Sequence, residues 1–121
     1  MKKEQRLLKS RDLERVLKGN RSWANSMLVV CVMPNDLPHS RFGFAASKRV
    51  GNAVARNRAK RLMREAVRLN QTAIKAGSDM VLIARKRTPQ ANLHQVAAAL
   101  LQLLSQARLW QGDLSQGSAS S

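Results

Sequence analysis

Residues 41–65 read Arg41-Phe-Gly-Phe-Ala-Ala-Ser-Lys-Arg-Val-Gly-Asn-Ala-Val-Ala-Arg-Asn-Arg-Ala-Lys-Arg-Leu-Met-Arg-Glu65: a short apolar segment, a Gly-Asn turn, then a long basic run. Residues 41–47 have strand composition, and the run from Asn52 to about Asn70 contains no Gly or Pro and many strong helix formers, with Asn52 placed to cap it. At about 100° per residue, Ala55, Ala59, Leu62, Ala66 and Leu69 share one face with Met63 beside them, which predicts a helix packed on a sheet. Asn57, Arg61, Arg64 and Arg68 fall on the opposite face, with Lys60 adjacent and Arg56 and Arg58 on the flanks.

Two further strands are predicted outward from this segment. Met27–Met33 is β-branched and apolar, and Asp79–Arg85 is a second short apolar run. Pro34–Ser40 is rich in turn formers and short enough to join the Met27 strand to the Arg41 strand as an antiparallel hairpin. Two more helices flank the sheet. One is short, capped by Ser10 and ended by Gly19-Asn20, with Leu13, Val16 and Leu17 along one edge. The other is terminal, opened by an Asn92/Gln95 capping box, with Leu93, Val96, Ala97, Leu100, Leu104 and Ala107 as its apolar stripe. Residues 111–121 include six Gly or Ser and no apolar period, the composition of a disordered tail.

Charge narrows the function. The chain has 121 residues with 22 Lys plus Arg against 7 Asp plus Glu, a net charge of +15. That exceeds the roughly 2 to 8 units that suffice to keep a small domain soluble, and it points to a polyanionic partner. Residues 2–21 hold eight basic and three acidic residues, and residues 48–68 hold eight basic residues and only Glu65. A solvated face is the ordinary reading of a charged helix surface. Here, however, like charges at i and i+4 cost a few tenths of a kcal/mol each, and a partner's phosphates would relieve them. Ser47-Lys48-Arg49 ahead of the helix adds cations and backbone N–H groups at its N-terminus, which suits either an anion site or a plain capped turn.

Other classes are not expected. No apolar run approaches the roughly 18 residues of a membrane span, and Met1–Arg6 lead into no signal-like stretch. The single cysteine, Cys31, sits in an apolar strand and excludes an intrachain disulfide, which fits a cytoplasmic setting. Catalytic groupings are absent too. Asp12 and Glu14 share no helix face, Asp36 and Asp113 lie in loop or tail, and Asp79 begins a strand. His39 and His94 stand alone, and Cys31 reads as a core or cleft-wall residue rather than a nucleophile. Three binding alternatives remain. A ribosomal or chaperone-like RNA-binding module would not require one specific RNA. A DNA-binding protein would need a helix-turn-helix partner that is not apparent. A membrane-surface protein would need a helix face not committed to a sheet.

The string Arg41–Glu65 closely resembles the signature of the protein component of bacterial ribonuclease P, and the resemblance extends over roughly Leu7–Trp110. Leu8, Leu13, Val16 and Gly19 stand at the family's apolar and turn positions. The resemblance implies a single-domain α+β sandwich over residues 1–110. Its small central mixed sheet is covered by helices in the rough order α-β-β-β-α-β-α, with a left-handed βαβ crossover and an extra strand near Arg21–Ala24. It also implies an RNA-binding subunit of an endoribonuclease that removes the 5′ leader of precursor tRNA. The catalytic RNA would hold the Mg²⁺ and hydrolyse the phosphodiester, and neither DNA nor membrane would be a partner. Arg56, Asn57, Arg58, Lys60, Arg61, Arg64 and Arg68 would face the RNA subunit. Leu13, Leu17, Cys31 and Trp110 would line a leader cleft, with Lys9, Arg11, Lys48 and Arg49 supplying charge. Many members carry Phe or Tyr where this chain has Leu13, Leu17 and Cys31, so base stacking, worth roughly 1 to 3 kcal/mol per base, is expected to be largely missing there.

Overall fold

The computed structural model describes residues 9–19 and 21–111; the expectations for residues 1–8, for Asn20 and for all of the 111–121 tail but Gln111 lie outside them, and Gln111 is hydrogen-bonded to Ala73 and Thr72. The described elements are α1 (Ser10–Leu17), β1 (Ser22–Ala24), β2 (Leu28–Pro34), β3 (Arg41–Ala45), α2 (Ala53–Leu69), β4 (Ser78–Ala84) and α3 (Leu93–Gln106), with 3₁₀ turns at Lys48–Val50, Gln71–Ala73 and Thr88–Gln90. The strand implied by resemblance near Arg21–Ala24 is β1, three residues long and antiparallel to β2. The fold is α+β, a four-stranded mixed sheet with helices on both faces.

The sheet order is β1-β2-β4-β3, and this corrects the predicted hairpin: β2 and β3 are not neighbours. β4 lies between them, antiparallel to β2 and parallel to β3. The physical reason is the composition of β4. Met80, Leu82 and Ala84 point to one face and Val81 and Ile83 to the other, and only Ile83 is not buried. A strand that is apolar on both faces is most stable at the centre of a sheet. The Pro34–Ser40 loop instead steps over the start of β4, about two strand spacings or roughly 9.6 Å. It is tied down there. Asn35 N–H donates to the Gly77 carbonyl at 3.0 Å, Asn35 Oδ1 accepts from Leu37 N–H at 2.8 Å, and the Ser40 hydroxyl donates to the Lys75 carbonyl at 2.8 Å. The parallel β3–β4 pair then requires a crossover, and α2 provides it.

α2 and α3 cover one face. Ala59, Met63, Ala66 and Val67 of α2 and Val96, Leu100, Leu103 and Leu104 of α3 pack with Leu28, Val30, Val32, Phe42, Met80 and Leu82 from the sheet. The predicted stripes are shifted slightly: Leu69 is 54% exposed and Val67 takes the buried position, while Leu103 joins the α3 stripe. Both predicted N-caps form on these helices. Asn52 Oδ1 accepts from Ala55 N–H at 2.9 Å, and Asn92 and Gln95 make the reciprocal capping box. Gly51 makes the turn into α2 at φ 146°, and a Cβ there would stand 2.9 Å from that of Ala55. α1 is different: Lys9 is its N-cap residue with no side-chain bond, and Ser10 is its first helical residue rather than its cap.

Candidate RNA-binding surfaces

The first surface is the outer side of α2. Burial of Ala59, Met63, Ala66 and Val67 turns Asn57, Arg58, Arg61, Arg64 and Arg68 out to solvent, with Arg56 and Lys60 half-buried at the edge. These cations are not equivalent. Arg58 Nε donates to the Pro89 carbonyl at 2.7 Å and its Nη2 to the Ala91 carbonyl at 3.4 Å, fastening α2 to the turn before α3. Arg64 stacks over Phe44 at 5.5 Å from the ring centroid, a cation–π contact that fixes its direction. Arg68 forks onto Glu65, and the hydrogen bond from Arg68 holds the Glu65 carboxyl below its ordinary range. Arg61 and Lys60 form no ion pair among the described residues. Val54, 76% exposed, joins Asn57, Arg58 and Arg61 around a shallow depression of about 310 Å³. Arg56 carries a buried Nε with no hydrogen-bond partner among the described residues.

The second surface is the face of the sheet that α2 and α3 leave free. Here Val16 of α1 enters between Cys31 and Val81, and Leu13, Val29, Met33, Ala45 and Ile83 surround that small cluster half-buried. Leu17 is 46% exposed at the helix edge. Lys9 at the N-cap and Arg11 of α1 are exposed, as are Lys48 and Arg49 in the turn after β3. Burial pushes the Cys31 thiol up, which keeps it protonated and unreactive at neutral pH.

Trp110 is not brought to this surface. Its backbone bridges Ile74, and its ring packs with the α2 and α3 side of the sheet. The reason is long-range pairing of the chain end. Lys75 N–H donates to the Leu109 carbonyl at 2.8 Å and Gln111 N–H to the Ala73 carbonyl at 2.7 Å, stapling the segment after α3 to the loop after α2. The chain has two Trp, two Phe and no Tyr. All four aromatic rings, Trp23, Phe42, Phe44 and Trp110, pack with that covered side. The open face therefore has no aromatic among the described residues.

Sequence reasoning missed two cations. Arg85 and Lys86, just past β4, join Ser47, Arg49, Val50 and Ala84 around a depression of about 300 Å³ at the C-terminal ends of β3 and β4. Arg85 is held by donation from its Nη1 to the Asn25 carbonyl at 3.0 Å. The available signal was the run Arg85-Lys86-Arg87 directly after an apolar strand. Among the described residues, no three His, Cys, Asp or Glu side chains gather as a metal site. Asp79, the one buried carboxylate among the described residues, is enclosed by Arg15, Asn35 and Arg41.

Comparison with known proteins agrees with this architecture. The model of the Ribonuclease P family matches residues 1–108. The chain is 42% identical over 111 residues to the ribonuclease P protein component of Exiguobacterium sp., covering 92% of this chain and 96% of that one. It is 39% identical over 109 residues to that of Alkaliphilus metalliredigens, covering 90% and 98%. Among solved structures, the ribonuclease P protein of Staphylococcus aureus superposes with TM-score 0.76 at 33% identity, covering 88% of this chain and 97% of that one. The Thermotoga maritima protein superposes with TM-score 0.75 at 33% identity, covering 84% and 96%.

Proposed function

The chain belongs to the ribonuclease P protein family, and we propose that it serves that ribonucleoprotein endoribonuclease through two separate surfaces. The family's work is tRNA processing, and this chain is its RNA-binding protein subunit. The outer side of α2 binds the catalytic RNA. The open sheet face beside α1 receives the 5′ leader of precursor tRNA. The two surfaces lie on opposite layers of the sheet, so one small protein can stand between two polyanions and screen them from each other.

The observation that carries this reading is the open face itself: an apolar floor of Val29, Ala45 and Ile83, walled by α1, with Arg49, Arg85 and Lys86 just beyond the C-terminal ends of β3 and β4. Without aromatic rings it cannot stack bases. It grips the leader through phosphates and shape, and leader sequence preference is weak. In this reading the Mg²⁺ is held by the catalytic RNA; among the described residues of the protein no three His, Cys, Asp or Glu side chains gather as a metal site. What this chain contributes is positive charge, which lowers the Mg²⁺ concentration the complex needs. No helix among the described residues is long and apolar enough to cross a membrane.

The test is cleavage of 5′-labelled precursor tRNA at low Mg²⁺ by the protein alone, by bacterial ribonuclease P RNA alone and by the two together. Release of an intact leader only by the mixture supports the reading. Tight RNA binding with no effect on cleavage would leave a general RNA-binding module.

A further inference from the structure

Asp79 is fully buried at the start of β4, on the open face, directly beneath α1. Its carboxylate is shared by three elements. Oδ1 accepts from Asn35 Nδ2 and from Arg41 Nε, both at 2.9 Å; Oδ2 accepts from Arg41 Nη2 at 2.7 Å and from Arg15 Nη2 at 2.5 Å. Arg41 belongs to β3 and Asn35 to the loop over β4, so those bonds stay within the sheet layer. Arg15 belongs to α1. From that arrangement we infer that the Arg15–Asp79 pair is a positioning clasp, one that fixes the height of α1 above the sheet and so the shape of the leader groove.

The geometry around the pair supports this role. Arg15 Nη1 also touches Met33 Sδ at 2.7 Å. Just past the helix, a Cβ on Gly19 would stand 2.8 Å from Met33 Cε, so the end of the Met33 side chain lies against the C-terminal end of α1. The rest of the docking is slight: Val16 is buried, Leu13 is half-buried, and Asp12 lies 4.0 Å from Arg41. α1 has eight residues, well below the roughly 12 to 15 at which isolated helices become marginal in water. Docking therefore decides its position. The clasp is also separable from the fold: without Arg15, Asp79 keeps its two-pronged bond from Arg41 and the bond from Asn35, and no buried charge is orphaned.

The inference rests on the leader reading above, and its test separates the two. Reconstituted holoenzyme is assayed with a long-leader precursor and with one carrying a single leader nucleotide. Wild type should show a lower KM for the long leader. Arg15→Ala should abolish that ratio through KM, leave kcat and affinity for the RNA subunit unchanged, and be partly rescued by Arg15→Lys. Asp79→Asn, which keeps the Arg15 charge, should lose the same ratio. A wild-type ratio in Arg15→Ala would overturn the clasp, and so would its retention in a folded Asp79→Asn, since Arg15 would then be a phosphate contact. Equal KM for both precursors in wild type would sink the leader reading instead. The clasp is then judged on the free full chain, spin-labelled at Glu14→Cys and Lys75→Cys in a Cys31→Ala background. Arg15→Ala should broaden the label-to-label distance distribution, and an unbroadened one would overturn the inference.

Discussion

The two faces of the sheet are made by alternate residues of the same strands, yet they end in different states. Leu28, Val30, Met80 and Leu82 lie under two long helices within a cluster of nineteen buried residues. Val29, Cys31, Val81 and Ile83, one position along in each case, meet only α1, and three buried residues form the cluster there. The pleat makes both faces equally available. What differs is the cover: α2 and α3 bring four buried residues each, whereas α1 brings Val16 alone. The closed face contains the stability of the domain, and the open face retains apolar and basic surface that a partner can use.

The largest expected contrast comes from truncating each side. Leu82→Ala on the closed face should cost about 2 to 5 kcal/mol of global stability in urea unfolding. Val16→Ala should cost much less and should expose only the amides of α1 to hydrogen exchange; equal losses would show that α1 is part of the global core. Next in size, a ring can be added to the open face. Leu17→Phe should tighten leader binding by about 1 to 3 kcal/mol, read as affinity for long-leader precursor, if stacking is what the groove lacks.

Smaller effects come from single charges. Arg61→Ala should lower the salt dependence of RNA-subunit binding by about one unit of log–log slope and leave leader discrimination intact; a change in both would mean the surfaces are not separate. The smallest effect is confined to acid. Burial pushes the Asp79 carboxyl up, but hydrogen bonds from Arg41 and Asn35 and the charges of Arg41 and Arg15 outweigh it, so its pKa lies below the ordinary carboxylate value. A depressed folded pKa gives stability that is complete above the unfolded value, about pH 3.9, and is lost as pH falls through the folded one. Thermal melts of wild type should fall more steeply than those of Asp79→Asn below about pH 4.

By itself the sequence determined what depends on neighbours a few residues apart. The caps at Asn52 and Asn92, the buried and basic sides of α2 and the apolar strands all follow from 3.6- and 2-residue periods acting within one element. The exposed row Asn57, Arg61, Arg64 and Arg68 was legible for that reason, and the 25-residue string around it carried the family. Tertiary structure alone decided the rest. β4 displaced the β2–β3 hairpin because a strand apolar on both faces gains most at the centre. Trp110 went to the closed face because the segment after α3 pairs with Ala73–Lys75. Asp79, which as a sequence is one acid at the head of a strand, became the meeting point of Arg15, Asn35 and Arg41. In each case the deciding contacts join residues dozens of positions apart, and their choice among alternatives is a competition for burial and charge pairing that no local pattern encodes.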